Sequence, residues 1–401
     1  MKNLDPLAAV TAADPYPYYA RLVAERPFHR DETLGVWVAA SAPAVEAVLS
    51  SSVMCVRPTS EPVPKAIAGT PMGDVFARLT RMTDGRQQAT VKDAVVAAFD
   101  PLAMADLAAT SECCADLLLQ TLSVDDPEGL STFAFSLPPV VMATILGLPP
   151  DNARQAAAWT RDFVRAIAPG ATPDEVARGI PATDAMKEAL RSLLSVPEPD
   201  GSLFGTFTIE GRRRGVDDAV VIANAIGFLF QSYDATAGLI GNTLVALANN
   251  TPVLRDAAAN DSRLLECVVA EVARHDSPVQ NTRRFAAADT AVLGTSVRAG
   301  DPVLVLLAAA NRDPSVNPDP DRFDPNRKER RSYTFGIGGH ACPGMRAATM
   351  IAQTAVSRLL KSRIDLQGST ELPYHPSINA RIPNFAPTRE QRSLELGTEI
   401  E

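Results

Sequence analysis

One stretch of this 401-residue chain combines residue types suited to chemistry: Phe335-Gly336-Ile337-Gly338-Gly339-His340-Ala341-Cys342-Pro343-Gly344. Glycines at 336, 338, 339 and 344 remove side chains where backbone must turn sharply or approach a flat partner closely. A thiolate held in such a loop can ligate haem iron and push electron density onto it, which favours O–O cleavage. The alternative for Cys342 is a buried structural cysteine in a glycine-rich turn. Glu271 and Arg274 form a second pair, three apart in a helical pattern and therefore able to meet on one face. Exposed, such a pair would contribute only about 0.2–1 kcal/mol. A third place is the polar interruption Gln231-Ser232-Tyr233-Asp234-Ala235-Thr236 inside an otherwise apolar run.

The elements that must position these residues are mostly helices. Apolar residues recur at helical spacing over Asp151–Ile167, Thr183–Leu194 and Arg263–His275. A helix predicted over Asp217–Asn249 would run roughly 50 Å, at about 1.5 Å per residue. β-type runs occur at Gly35–Ala39, Ala291–Leu293 and Val303–Leu307, with a loop-rich tail from Pro373 onward. The Pro/Gly-bearing stretches 57–74, 195–215 and 311–327 are short and read as loops, not as spacers between domains. No internal repeat is present, and residues 1–401 are expected to form one domain.

A net charge of -9 argues against nucleic acid as a partner. Cys55, Cys113, Cys114, Cys267 and Cys342 show neither metal-ligand spacing nor an even disulfide framework, which suits a reducing cytoplasm. The first twenty residues lack the apolar core of a secretory signal, and the most apolar stretch carries Asn224, Gln231, Asp234 and Asn242, which lipid tolerates poorly. The expectation is a soluble, cytoplasmic protein without a membrane anchor. The basic run Arg327, Lys328, Arg330 and Arg331 precedes the cysteine loop and is expected either to be plain solvated surface or to face an acidic electron donor.

The pattern F-G-x-G-x-H-x-C-x-G resembles the haem-binding signature of the cytochrome P-450 family, matched at every fixed position. Asp14-Pro15-Tyr16-Pro17-Tyr18-Tyr19 with Gly35-Val36-Trp37-Val38 also resembles the opening of bacterial members, so the likeness runs from about residue 14 to about residue 385. It implies a mostly α, single-domain cytochrome P-450 fold with a small β-rich lobe, with haem b held by Cys342 as axial ligand and dioxygen as co-substrate. The E-x-x-R of Glu271 and Arg274 is similar to the family's second signature. The resemblance implies a buried network completed by Arg322, from Pro320-Asp321-Arg322-Phe323. Arg284, favoured over Arg283, and His340 are implied contacts of the haem propionates, with Phe335, Gly336 and Gly344 shaping the loop around the haem. In Thr83-Asp84-Gly85-Arg86-Gln87-Gln88-Ala89-Thr90-Val91-Lys92, Gln88 stands where relatives have histidine and Lys92 where they have arginine. Lys92 keeps the charge but loses the bidentate fork.

The long helix departs furthest from the family pattern A-G-x-E-T-T-A. Asp234 retains the acid, Ala235 replaces the alcohol of the proton-delivering pair, and Thr236 lies about 100° further round the helix. Gln231 replaces a small residue one turn earlier. Gly227, Phe230, Gln231 and Ala235 fall along one stripe and are expected to line the distal wall, together with the loop between Val56 and Gly73. Three readings stand: Gln231 and Thr236 merely pack or satisfy helix carbonyls; a substrate hydroxyl, amide or ordered water replaces the alcohol, oriented by Gln231; or the usual double protonation is not needed, as in peroxide-driven turnover, coupling, desaturation or chemistry on another diatomic ligand. A polar Gln231 suggests a substrate with amide, amine or hydroxyl functionality.

What the resemblance implies for activity is a monooxygenase that oxidises, most simply hydroxylates, a small organic substrate of bacterial secondary metabolism. Electrons would come from a ferredoxin and ferredoxin reductase, and the substrate could arrive tethered to a carrier domain. A non-catalytic haem-binding sensor or recruitment module is the rival from another class.

Overall fold

The computed structural model describes residues 4–58, 60–195, 201–362, 364 and 372–387. Thr59, residues 196–200 of one expected loop, and the tail beyond residue 387 lie outside the described residues. The chain is mostly helical, and its axis is the helix Asp218–Asn249 of 32 residues. Asp217 caps it, its carboxylate accepting the Ala219 N–H at 2.7 Å, and the extended Asn250 ends it shortly before Pro252. Burial along this helix is uneven. Residues 221–230 and 236–245 are buried, whereas 231–235, more than one full turn, are only half-buried.

The interruption lies where two apolar cores meet. Phe228, Leu229 and Phe230 belong to a core shared with Phe163, Phe204 and Phe207. Leu239, Ile240 and Leu244 belong to another, shared with Phe133, Val268 and Ile351. Each half of the helix is therefore fixed by its own set of neighbours. The turn between them is fixed by neither.

Among the described residues, seven strands form two sheets. β1 (Phe28–Asp31), β2 (Val36–Ala39), β3 (Met54–Cys55), β4 (Asn281–Ala286) and β7 (Pro302–Leu306) assemble in the order β1-β2-β7-β4-β3, parallel only between β2 and β7. β5 (Thr290–Val292) and β6 (Thr295–Val297) pair as a hairpin. In β4, Arg283 is exposed and Arg284 buried, because successive strand residues point to opposite faces. Among the described residues, no single helix is long and apolar enough to cross a membrane.

Two sequence expectations need correction. The helix expected from Thr183 starts ten residues earlier, at Pro173, where Thr172 and Glu175 form a reciprocal cap. Gly179 and Pro181 obscure that start, yet Gly179 is needed because a Cβ there would stand 2.4 Å from Ala166 Cβ on the neighbouring helix Pro150–Ile167. The stretch 195–215 is not all loop either, since Leu203–Arg213 is helical and capped by Ser202.

Candidate functional site

The cysteine loop is held by main-chain bonds and by two amide side chains beneath it. The Cys342 N–H donates to the Phe335 carbonyl at 2.8 Å, and the Gly336 N–H to the Tyr333 carbonyl at 2.8 Å. Gly336 and Gly338 have φ of 66° and 68°, and a Cβ on Gly338 would stand 3.0 Å from the Leu49 carbonyl oxygen. Those two positions therefore require glycine. Gly344 starts the helix Met345–Lys361, which sets Cys342 just ahead of a helix N-terminus, where negative charge is favoured. Asn311 anchors the approach to the loop. Its Oδ1 accepts the Tyr333 N–H at 2.6 Å, while its Nδ2 donates to Ser277 and Thr334. Asn317 grips Arg331 through both the N–H and the carbonyl of that residue.

From the outside, the helix Gly85–Phe99 clasps the loop with residues one turn apart. Gln88 Nε2 donates to the Gly339 carbonyl at 3.0 Å, and the Lys92 ammonium donates to that of Ala341. The two departures from the family pattern thus sit on the loop's main chain. Asp84 precedes this helix without capping it. Its carboxylate is diverted to the Val56 N–H and to His340 Nε2, each at 3.0 Å. Burial would raise the Asp84 pKa, but His340 and the Val56 N–H outweigh it and hold the carboxyl below its usual range.

Cys342 and Arg81 are reachable by solvent yet enclosed by protein, as residues on the wall of an internal recess are. Burial pushes the Cys342 thiol up, against opposing pulls from the Gly344 N–H, Lys92 and Arg81. Arg284 is 6% exposed and, among the described residues, donates to Thr282 and to the Arg283 carbonyl. Neither Arg81 nor Arg284 has a carboxylate within 4.0 Å among the described residues. An enclosed thiol facing the Arg81 guanidinium, with the buried Arg284 between Arg81 and the Asp84 carboxylate, suits a flat ligand carrying a metal at its centre and acids at its edge, so the donor set fits haem. Arg81 escaped sequence reasoning. It lies three residues before Asp84 in a short 3-10 turn, and its type alone gives no sign that it faces Cys342.

The second candidate segment is the half-buried turn of the central helix, and that helix lies against the segment that bears Arg81. Asn224 fixes the distance by accepting the Thr80 N–H and donating to the Arg78 carbonyl, both at 2.9 Å, which pins the segment bearing Arg81 against the helix. Asp234 has no partner among the described residues, and burial pushes its carboxyl up to about 6. Ala235 is half-buried, whereas Thr236 is 1% exposed with an unpartnered hydroxyl, so that alcohol faces protein. Gln231 is half-buried and folds onto Gly227. The expected stripe needs revision at Phe230, which is 7% exposed and meets the Phe163 ring at 5.0 Å, tilted by 33°, as part of the core.

Glu271 and Arg274 are fully buried and paired at 2.7 Å. The third member expected, Arg322, is not one. Its side chain is 71% exposed beside Asp324, and only its carbonyl accepts from Arg274. Arg327 and Arg330 reach Glu271 instead, at 3.4 and 2.9 Å, because the loop turns back after Asp324, whose N–H also donates to Glu271. The basic run is corrected by the same geometry. Two of its members point inward, Arg331 pairs with Glu46 at 2.7 Å, and Lys328 is left exposed. Burial would raise the Glu271 pKa, yet Arg274 and Arg330 hold it below the ordinary range.

The sequence profile described as Cytochrome P450 matches residues 219–371. The chain is 31% identical over 415 aligned residues to cytochrome P450 monooxygenase PikC of Streptomyces venezuelae, covering 98% of this chain and 95% of that one. It is 27% identical over 377 residues to 20-oxo-5-O-mycaminosyltylactone 23-monooxygenase of Streptomyces fradiae, covering 92% and 87%. Among solved structures, that of CalO2 superposes with a TM-score of 0.81 at 25% identity, covering 96% and 97% of the two chains. A full-length relative at this identity, the shared fold and the cysteine loop agree, and the chain belongs to the cytochrome P450 family of monooxygenases.

Proposed function

We propose that this chain is a haem-thiolate monooxygenase in which the Cys342 thiolate would hold the haem iron, oxidising a small organic molecule of bacterial secondary metabolism with electrons from a ferredoxin. The observation that carries this reading is the enclosed Cys342 thiol, set in its glycine loop with the Arg81 guanidinium facing it. Haem, when bound, supplies reductive activation of dioxygen. The chain's own residues do the rest. Arg81, Arg284 and His340 would hold the propionates, and Gln88 and Lys92 keep the loop in register through its carbonyls. Asp234, which holds a proton below about pH 6, would be the proton source of the distal turn, passing it through ordered water since Ala235 offers no hydroxyl. The relative from Streptomyces fradiae, whose name places it on a glycosylated lactone, supports the class of pathway.

The test is optical. Protein expressed with ample haem precursor should bind haem and give a reduced carbon monoxide adduct of thiolate type, and Cys342→His should convert it to the imidazole type. A colourless wild type, or an imidazole-type adduct already present in it, removes the assignment.

A further inference from the structure

Gln231 Nε2 donates to the Gly227 carbonyl, 2.8 Å away and one turn back on its own helix. The acceptor is a main-chain oxygen, so the amide nitrogen must be the atom turned toward it, and the orientation of the amide follows from that bond alone. Gly227 makes this possible. A Cβ there would stand 2.9 Å from Nε2 and 2.9 Å from Leu79 Cδ2. Glycine inside a helix costs about 0.5–1 kcal/mol relative to alanine, and here it makes room for the amide to fold down. With the nitrogen pressed against the helix, Oε1 is left open, neither sealed in protein nor bonded to any described residue.

The rest of the turn has the same polarity. The Ser232 hydroxyl, which could have donated into the recess, is spent on the Leu229 carbonyl at 2.7 Å. Ala235 has no polar side-chain atom, the Thr236 hydroxyl is buried, and Tyr233 lays its ring on Phe135 at 5.1 Å. Asp234 adds a carboxylate without a partner. The turn therefore offers two acceptors without partners among the described residues, Gln231 Oε1 and the Asp234 carboxylate. A buried acceptor left without a donor costs about 1–3 kcal/mol, so a ligand without one is penalised in this recess.

We propose that Gln231 determines specificity by accepting a hydrogen bond through Oε1, and that the substrate class is organic molecules presenting an O–H or N–H group to this turn, such as phenols, alcohols or N–H lactams. This rests on the monooxygenase reading for the recess being the substrate site. The test compares binding of matched probes, 2-naphthol with 2-methoxynaphthalene, indole with 1-methylindole, and caprolactam with N-methylcaprolactam, read by the shift of the Soret band of the haem-loaded protein. The wild type should bind the donor member of a pair about fivefold to tenfold more tightly than its capped partner. The ratio should fall to about one in Gln231→Leu, and should narrow in Gly227→Ala, where the new methyl evicts the amide. A wild-type ratio near one, a ratio unchanged in Gln231→Leu, or binding confined to probes without a donor overturns the proposal. A protein without a thiolate-type Soret band would fail the monooxygenase reading instead, and the same ratios would then be read by equilibrium dialysis.

Discussion

Asp234 puts a carboxyl in a half-buried turn with no cation and no hydrogen-bond donor beside it among the described residues, and its pKa is pushed from 3.8 to about 6. The consequence for stability has a definite sign. A carboxyl with a raised folded-state pKa binds its proton more tightly in the folded than in the unfolded chain, so stability falls as pH rises from about 4 to above about 6. At about 1.36 kcal/mol per pH unit the full loss would be about 3 kcal/mol, trimmed to about 2 by the solvent that reaches the group. Asp234→Asn keeps the shape and cannot ionise. Urea unfolding of wild type and variant across this range should give curves that nearly coincide at about pH 4 and separate by about 2 kcal/mol in favour of asparagine by about pH 8. A difference that stays flat, or one that favours aspartate as pH rises, would mean that a partner stabilises the charged form, and the reasoning about this turn would be wrong. In the haem-loaded enzyme the same variant should remove a limb of the pH–rate profile near pH 6.

Glu271→Gln leaves Arg274, Arg327 and Arg330 crowded without their counter-charge and should cost about 3–5 kcal/mol in denaturant unfolding, whereas Arg322→Ala should change stability by less than about 0.5 kcal/mol. Gly338→Ala places a methyl 3.0 Å from the Leu49 carbonyl at a φ of 68°; a loss of about 1–3 kcal/mol and a weakened thiolate signature of the carbon monoxide adduct are expected. Arg284→Ala should lower haem retention on gel filtration by about tenfold or more, while Arg283→Ala, on the exposed face of the same strand, should retain haem like the wild type.

The long helix was legible to within one residue because its cap and its apolar run agree, and the two residues that the family pattern sets apart differ in burial, Thr236 being buried and Ala235 half-buried. The cysteine loop was legible for a different reason. Its glycines answer to backbone geometry, which leaves a mark in the residue type itself. Arg322 misled because a motif fixes positions along a chain and says nothing about which way a loop turns after them. The reach of Arg327 and Arg330 to Glu271 depends on that turn. Arg81 and Asn311 were invisible for the same cause, since an arginine or asparagine in a connecting segment looks alike whether it meets water or protein. Pro181 and Gly179 hid a helix start because their local preference opposes the packing that overrides it.

The seam between the two cores has a consequence for how such a protein can change. Positions 231–235 belong to neither the core around Phe163 nor the one around Val268; Gln231 and Ser232 bond back to their own helix, and Tyr233 meets Phe135. A change of polarity at Gln231 or Ala235 therefore alters this turn without removing a side chain from either core.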